Sequence, residues 1–241
     1  MKTVFVFVPG MWDPKGSFDL VTKHLKALGY SSFVVEDDHQ NYQQGFDYYL
    51  KRLVSFVRKV KSRNEDSKII LVGHCVGLPL CLKAAEITGI VSGVVNLSGA
   101  PFKIDRSWGN VWNFRYLFGK IARRPFRYLF PIIFGNKMEI HDLDMGLLTR
   151  TVQVMKDWGP KREPSSGKAV RDLMKGIPVN LAKIPPVFHI LCSGDEIISF
   201  ELQEKLLKKL GGSCTFLVSC GHWAQLENPY EVASCVSSHK Y

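Results

Sequence analysis

Cys75 stands between two glycines at a spacing that suits nucleophilic chemistry. The segment Leu71-Val72-Gly73-His74-Cys75-Val76-Gly77 reads Gly-x-Cys-x-Gly. This is the nucleophile-elbow pattern, with cysteine where serine is usual. It follows an apolar run and precedes a helical pattern, so a strand, a sharp turn and a helix are expected. The turn crowds its neighbours, and a glycine on either side removes the side chains that would collide. Cys75 would then sit at a helix N-terminus, where the dipole and free N–H groups favour a thiolate.

A nucleophile needs a base, and the base needs an orienter. Two later segments offer them. Ser193-Gly194-Asp195-Glu196 directly follows an apolar run at 187–192, and Cys220-Gly221-His222-Trp223 follows another at 214–218. Asp195 suits the orienting acid. It also suits a turn or a helix cap, and Glu196 beside it is its rival. His222 suits the base. His74 reads as a packing or hydrogen-bonding residue, and His24, His39, His141, His189 and His239 have no motif. No metal-ligand spacing or organic-cofactor motif occurs, so no metal or cofactor is expected.

The elements that must position these residues alternate. Strands are expected at 4–8, 32–35, 68–72, 94–97, 187–192 and 214–218, and helices at 17–28, 45–61, 76–87, 201–210 and 229–239. The helix at 17–28 carries Phe18, Val21, Leu25 and Leu28 on one face and stops at Gly29. The helix at 45–61 carries Phe46, Leu50, Leu53, Val57 and Val60 at helical spacing. This rhythm implies parallel βαβ units, hence an α/β class with a mostly parallel central sheet flanked by helices. Open sheets of this kind place their sites at the carboxyl ends of the strands, where Asp195 and His222 would lie.

Taken in order, nucleophile, acid and histidine resemble the α/β-hydrolase family, and the resemblance covers nearly everything outside residues 101–185. Gly221-His222-Trp223-Ala224-Gln225-Leu226-Glu227-Asn228-Pro229 is similar to the family's histidine loop and last helix. Val8-Pro9-Gly10-Met11-Trp12 resembles its oxyanion loop, and Ser193-Gly194-Asp195 its acid loop. The resemblance implies Cys75 as nucleophile, His222 as base and Asp195 as orienting acid. It implies the N–H groups of Met11 and Val76 as the oxyanion hole. Two positions depart from the pattern. Pro9 stands where a histidine is usual, which leaves the expected donor, Met11, in place. Cys75 replaces serine, as in the family's dienelactone hydrolases and polyhydroxyalkanoate synthases. A serine enzyme exchanged to cysteine on purpose would read the same.

The rhythm breaks between 101 and 185. That stretch holds Trp108, Trp112, Phe114, Tyr116, Phe118, Phe126, Tyr128, Phe130 and Phe134 among basic residues. A helical cap insertion is expected there, between core parts 1–100 and 186–241. Of the chain's net charge of +10, residues 101–180 contribute +8, from fifteen Lys or Arg against seven Asp or Glu. A solvated basic face on amphipathic helices accounts for this. So would attraction of an anionic substrate or acyl carrier, or contact with an anionic membrane surface. No nucleic-acid-binding motif accompanies the charge. Trp12, Trp112, Phe118 and Trp223 are the candidate substrate-binding aromatics.

The start of the chain has too short an apolar run for a signal peptide, and no stretch approaches a membrane span. The six cysteines form no C-x-x-C pair and are expected reduced, in a cytoplasmic protein. Oligomeric state has no signature here. The expected activity is hydrolysis of carboxylic esters or thioesters of a small, partly hydrophobic molecule through an acyl-cysteine. Acyl transfer through the same intermediate, or a receptor that keeps the pocket without turnover, are its rivals.

Overall fold

In a computed structural model, residues 2–10, 13, 15–35, 45–100, 172, 175–195, 197–217 and 220–239 are described. The described strands form one open, parallel, six-stranded sheet. They are β1 (Thr3–Val8), β2 (Ser31–Val34), β3 (Lys68–His74), β4 (Gly93–Leu97), β5 (Val187–Cys192) and β6 (Ser213–Leu217), in the order β2-β1-β3-β4-β5-β6. The helices are α1 (Asp19–Ala27), α2 (Phe46–Arg63), α3 (Gly77–Thr88), α4 (Phe200–Leu210), α5 (Ala224–Glu227) and α6 (Pro229–Ser238). The α/β class expected from the sequence is thus the observed one. The short α5 falls inside the expected histidine loop, an addition to the helices expected from the sequence. Most of the expected cap lies outside the described residues. Within 176–185 the chain is irregular but for a 3-10 turn at Leu181–Lys183.

The sheet is apolar on both faces because helices cover both. In β1, Val4, Val6 and Val8 join one core cluster and Phe5 and Phe7 the other. The first cluster takes Phe46, Leu53 and Val57 of α2, Leu78 and Leu82 of α3, and Leu202 and Leu206 of α4. The second takes Val21 and Leu25 of α1, and Val232 and Val236 of α6. Each such side chain, fully buried, contributes roughly 1.5–3 kcal/mol. Helix α3 is buried nearly all round, Leu78, Leu80, Cys81, Leu82, Ala84 and Ala85 included. This explains its lack of a polar stripe: it packs on α2 as well as on β3.

The parallel register brings the carboxyl ends of the strands to one edge. His74 pairs with Leu97, Leu97 with Ile190, and Cys192 with Leu217. Cys75 follows β3 directly, Asp195 lies three residues past β5, and His222 five residues past β6. Among the described residues no helix is long and apolar enough to cross a membrane, and the six cysteines are unbridged.

Candidate active site

The elbow at Cys75 takes the strained form that its glycines suggest. Cys75 has φ +49°, in the left-handed region that non-glycine residues rarely occupy. Its amide donates to the Leu97 carbonyl at 3.3 Å, and its own carbonyl accepts from Ala100 N at 2.8 Å. These bonds to the end of β4 hold the turn. A Cβ on Gly77 would stand 2.3 Å from the Val8 carbonyl oxygen of β1, and one on Gly73 would stand 2.6 Å from Leu78 Cα. Both glycines are therefore required by close backbone approach. Cys75 is buried at 7% exposure, and α3 begins two residues later. Val76 is the residue that caps α3, so its amide lies at the positive end of the helix.

Asp195 and His222 meet across the sheet edge. Asp195 Oδ2 lies 2.8 Å from His222 Nδ1, and Asp195 Oδ1 accepts the amides of Ile197 and Ile198, each at 2.8 Å. A carboxylate bound in this way orients the ring. Nδ1 carries the proton and Nε2 is left as the basic nitrogen. Both side chains are buried. Asp195 is therefore the partner of His222; its rival Glu196 lies outside the described residues.

The acid loop has a support that the sequence did not advertise. Gln203, on α4 and fully buried, accepts from Cys192 N at 2.9 Å and donates to the carbonyls of Cys192 at 3.1 Å and Ile198 at 2.7 Å. This closes residues 192–198 around one amide. The loop is also zipped to the histidine loop, with Gly194 N donating to Cys220 O at 2.8 Å and Ser193 N to Leu217 O at 3.1 Å. Glu227 Oε2 accepts Gly221 N at 2.7 Å, one residue before His222. Burial, with Asp195 adding like charge, pushes the Glu227 carboxyl up to about 8. Its other oxygen is buried and has no hydrogen-bond partner among the described residues.

His74 is a hydrogen-bonding residue, as its position suggested, and its partners were not legible. Nδ1 lies 2.8 Å from Asp13 Oδ2 and Nε2 lies 2.8 Å from the His222 carbonyl oxygen. Asp13, five residues past β1, had no motif to mark it. The oxyanion loop approaches the elbow: a Cβ on Gly10 would stand 2.7 Å from Cys75 Cβ. Met11 and Trp12 themselves lie outside the described residues, as do Trp112 and Phe118. Trp223 lies apart from solvent. A candidate substrate-binding aromatic by its position, it is fully buried in the core, its indole N–H donating to Asp13 Oδ1 at 3.0 Å. His189 is structural. It lies 2.9 Å from Asn96 Nδ2 and donates from Nε2 to Gly211 O at 3.0 Å, and burial holds its pKa below the usual value.

Comparison with known proteins agrees with this fold. Residues 5–234 match the model of the "Alpha/beta hydrolase family", so the chain belongs to that family. The structure is similar to tomato methylketone synthase I in complex with 2-tridecanone (16% identity, 99% of this chain and 97% of that one, TM-score 0.70). It is also similar to an extracellular α/β-hydrolase from a Paenibacillus species (16% identity, 97% of each chain, TM-score 0.67). A third similar structure is polyneuridine aldehyde esterase (17% identity, 98% of each chain, TM-score 0.65). No curated protein sequence matches.

Proposed function

We propose that this protein hydrolyses carboxylic esters or thioesters of a partly hydrophobic small molecule through an acyl-Cys75 intermediate. The reading is carried by one observation. The oriented Asp195–His222 pair stands on the same sheet edge as the strained turn at Cys75. In the proposed reaction, the Cys75 sulfur attacks the carbonyl carbon and its proton passes to His222 Nε2. The tetrahedral oxyanion is held by the Val76 N–H and by a donor from the loop after Gly10, for which Met11 is the candidate. One such donor is worth about 3 kcal/mol. Collapse expels the alcohol or thiol, which leaves with the proton from His222. Water, deprotonated by His222, then attacks the thioester and releases the acid. Asp195 keeps the imidazole in the tautomer both steps need. No cofactor enters.

Family membership supports hydrolysis of esters in general, and similar structures include esterases and a lipase. The acyl-cysteine and the hydrophobic substrate are the finer part of the proposal. The test is a panel of acyl esters and acyl thioesters of varied chain length, followed by intact-protein and peptide mass spectrometry. An acyl group on Cys75, absent from Cys75→Ala, is expected, and folded protein that never acylates there would overturn the proposal. Added alcohol, amine or thiol acceptors separate hydrolysis from transfer by the product ratio. Ligand binding that survives Cys75→Ala, with no turnover by the parent, would favour a receptor.

A further inference from the structure

The reaction proposed above makes no use of the ion pair behind the histidine loop. Asp13 and His74 both have side chains without exposure. The charge state follows from the partners. The His222 carbonyl oxygen only accepts, so His74 Nε2 carries a proton. Asp13 already receives the Gly10 amide at 2.6 Å on Oδ2 and the Trp223 indole N–H at 3.0 Å on Oδ1, with Gln225 Nε2 at 3.4 Å. A carboxylate with such donors is ionised, so His74 Nδ1 donates to it as well. Burial by itself would raise Asp13 and lower His74. The opposite charge and the hydrogen bond outweigh it, leaving Asp13 below and His74 above their ordinary values. The contacts of Nδ1 with Asp13 and of Nε2 with the His222 carbonyl suit a buried imidazolium at His74, with Gln225 Nε2 also 3.4 Å from Nδ1. His74 faces Asp13, the His222 ring at 4.7 Å and, farther off, Asp195.

We infer that Asp13 and His74 are positioning residues for His222, joining the loop after β1, the elbow and the histidine loop through one buried pair. His74 directly precedes Cys75 and holds the carbonyl of the residue that must meet it. Asp13 holds Trp223, one residue along, and Gly10, which packs on Cys75. An apolar pair of similar volume would stabilise the core at least as well. What an apolar pair would lack is direction, and a shift of about 1 Å in a reacting group can cost about 100-fold in rate.

The inference rests on the role proposed for His222, so its test has two readouts. Asp13→Asn, His74→Gln and the milder Trp223→Phe are made in the full chain, with circular dichroism to check folding. In the parent at pH 7, imidazole nitrogen NMR is expected to show both His74 nitrogens protonated. The His222 ring signals are expected to shift in every folded variant. The rate of Cys75 acylation by an activated ester is expected to fall roughly 10- to 100-fold in Asp13→Asn and His74→Gln, with KM changed less than about threefold. A bare nitrogen on His74 in the parent, or His222 ring signals that stay put in folded Trp223→Phe and whichever other variants fold, would overturn the inference. A packing role would lower stability without moving those signals. If the parent never acylates Cys75, the proposed reaction fails alone, and the ring signals still decide the positioning.

Discussion

Asp195 divides its carboxylate between two tasks: one oxygen holds His222 Nδ1 at 2.8 Å, while the other takes the amides of Ile197 and Ile198. The second task fixes the first, because two backbone bonds leave the carboxylate little freedom to rotate. Asp195→Asn keeps the size and one acceptor but offers the imidazole a donor. The ring would turn or change tautomer. Acylation of Cys75 is expected to fall by roughly 10³- to 10⁴-fold, as for comparable triads. Stopped-flow release of the leaving group from an activated ester measures it, and a loss below tenfold would remove Asp195 from the reaction.

Gly77 offers a test of the elbow that leaves its chemistry alone. The Cβ of Gly77→Ala would meet the Val8 carbonyl oxygen at 2.3 Å. That oxygen belongs to the backbone of β1 and cannot swing aside. Overpacking of this kind costs about 1–3 kcal/mol, and the turn at Cys75 would shift with it. Urea unfolding should show the loss. A variant as stable as the parent would mean that the elbow and β1 are farther apart than described.

Gln203→Leu removes an amide that serves Cys192 and Ile198 together. One buried N–H and two carbonyls lose that partner, at about 1–3 kcal/mol for an unsatisfied group. Because the bonds close the acid loop, activity should fall further than stability predicts. Hydrogen exchange of the Cys192 amide would speed up in the same variant. Unchanged exchange there would count against the loop's dependence on Gln203.

Glu227 gives a pH dependence of definite sign. Its carboxyl is raised from 4.5 to about 8 by burial, so the folded state binds a proton that the unfolded state releases. Its contribution to stability is full below pH 4.5, declines as pH rises, and is gone above about 8. Glu227→Gln can still accept the Gly221 amide and cannot ionise. Denaturant titrations at pH 5, 7 and 9 are expected to show the parent losing stability relative to Glu227→Gln as pH rises. Parallel curves would show that Glu227 stays ionised throughout.

The amino-acid sequence alone determined the class of fold and supplied the three side chains on which the proposed reaction rests. Strand and helix periodicity is local: alternating apolar runs such as 4–8 and 68–72 bury on two faces wherever helices cover them. The glycines at 73 and 77 are equally local, because the turn they permit follows its own strand and helix. Tertiary structure decided what surrounds these residues. Asp13, Gln203 and Glu227 carry no spacing signal, since their partners lie anywhere from 3 to 210 positions away. Trp223 illustrates the difference most plainly. A tryptophan beside a histidine reads as a pocket residue, but its direction is set by where Asp13 places an acceptor for the indole N–H, and that depends on how the chain closes.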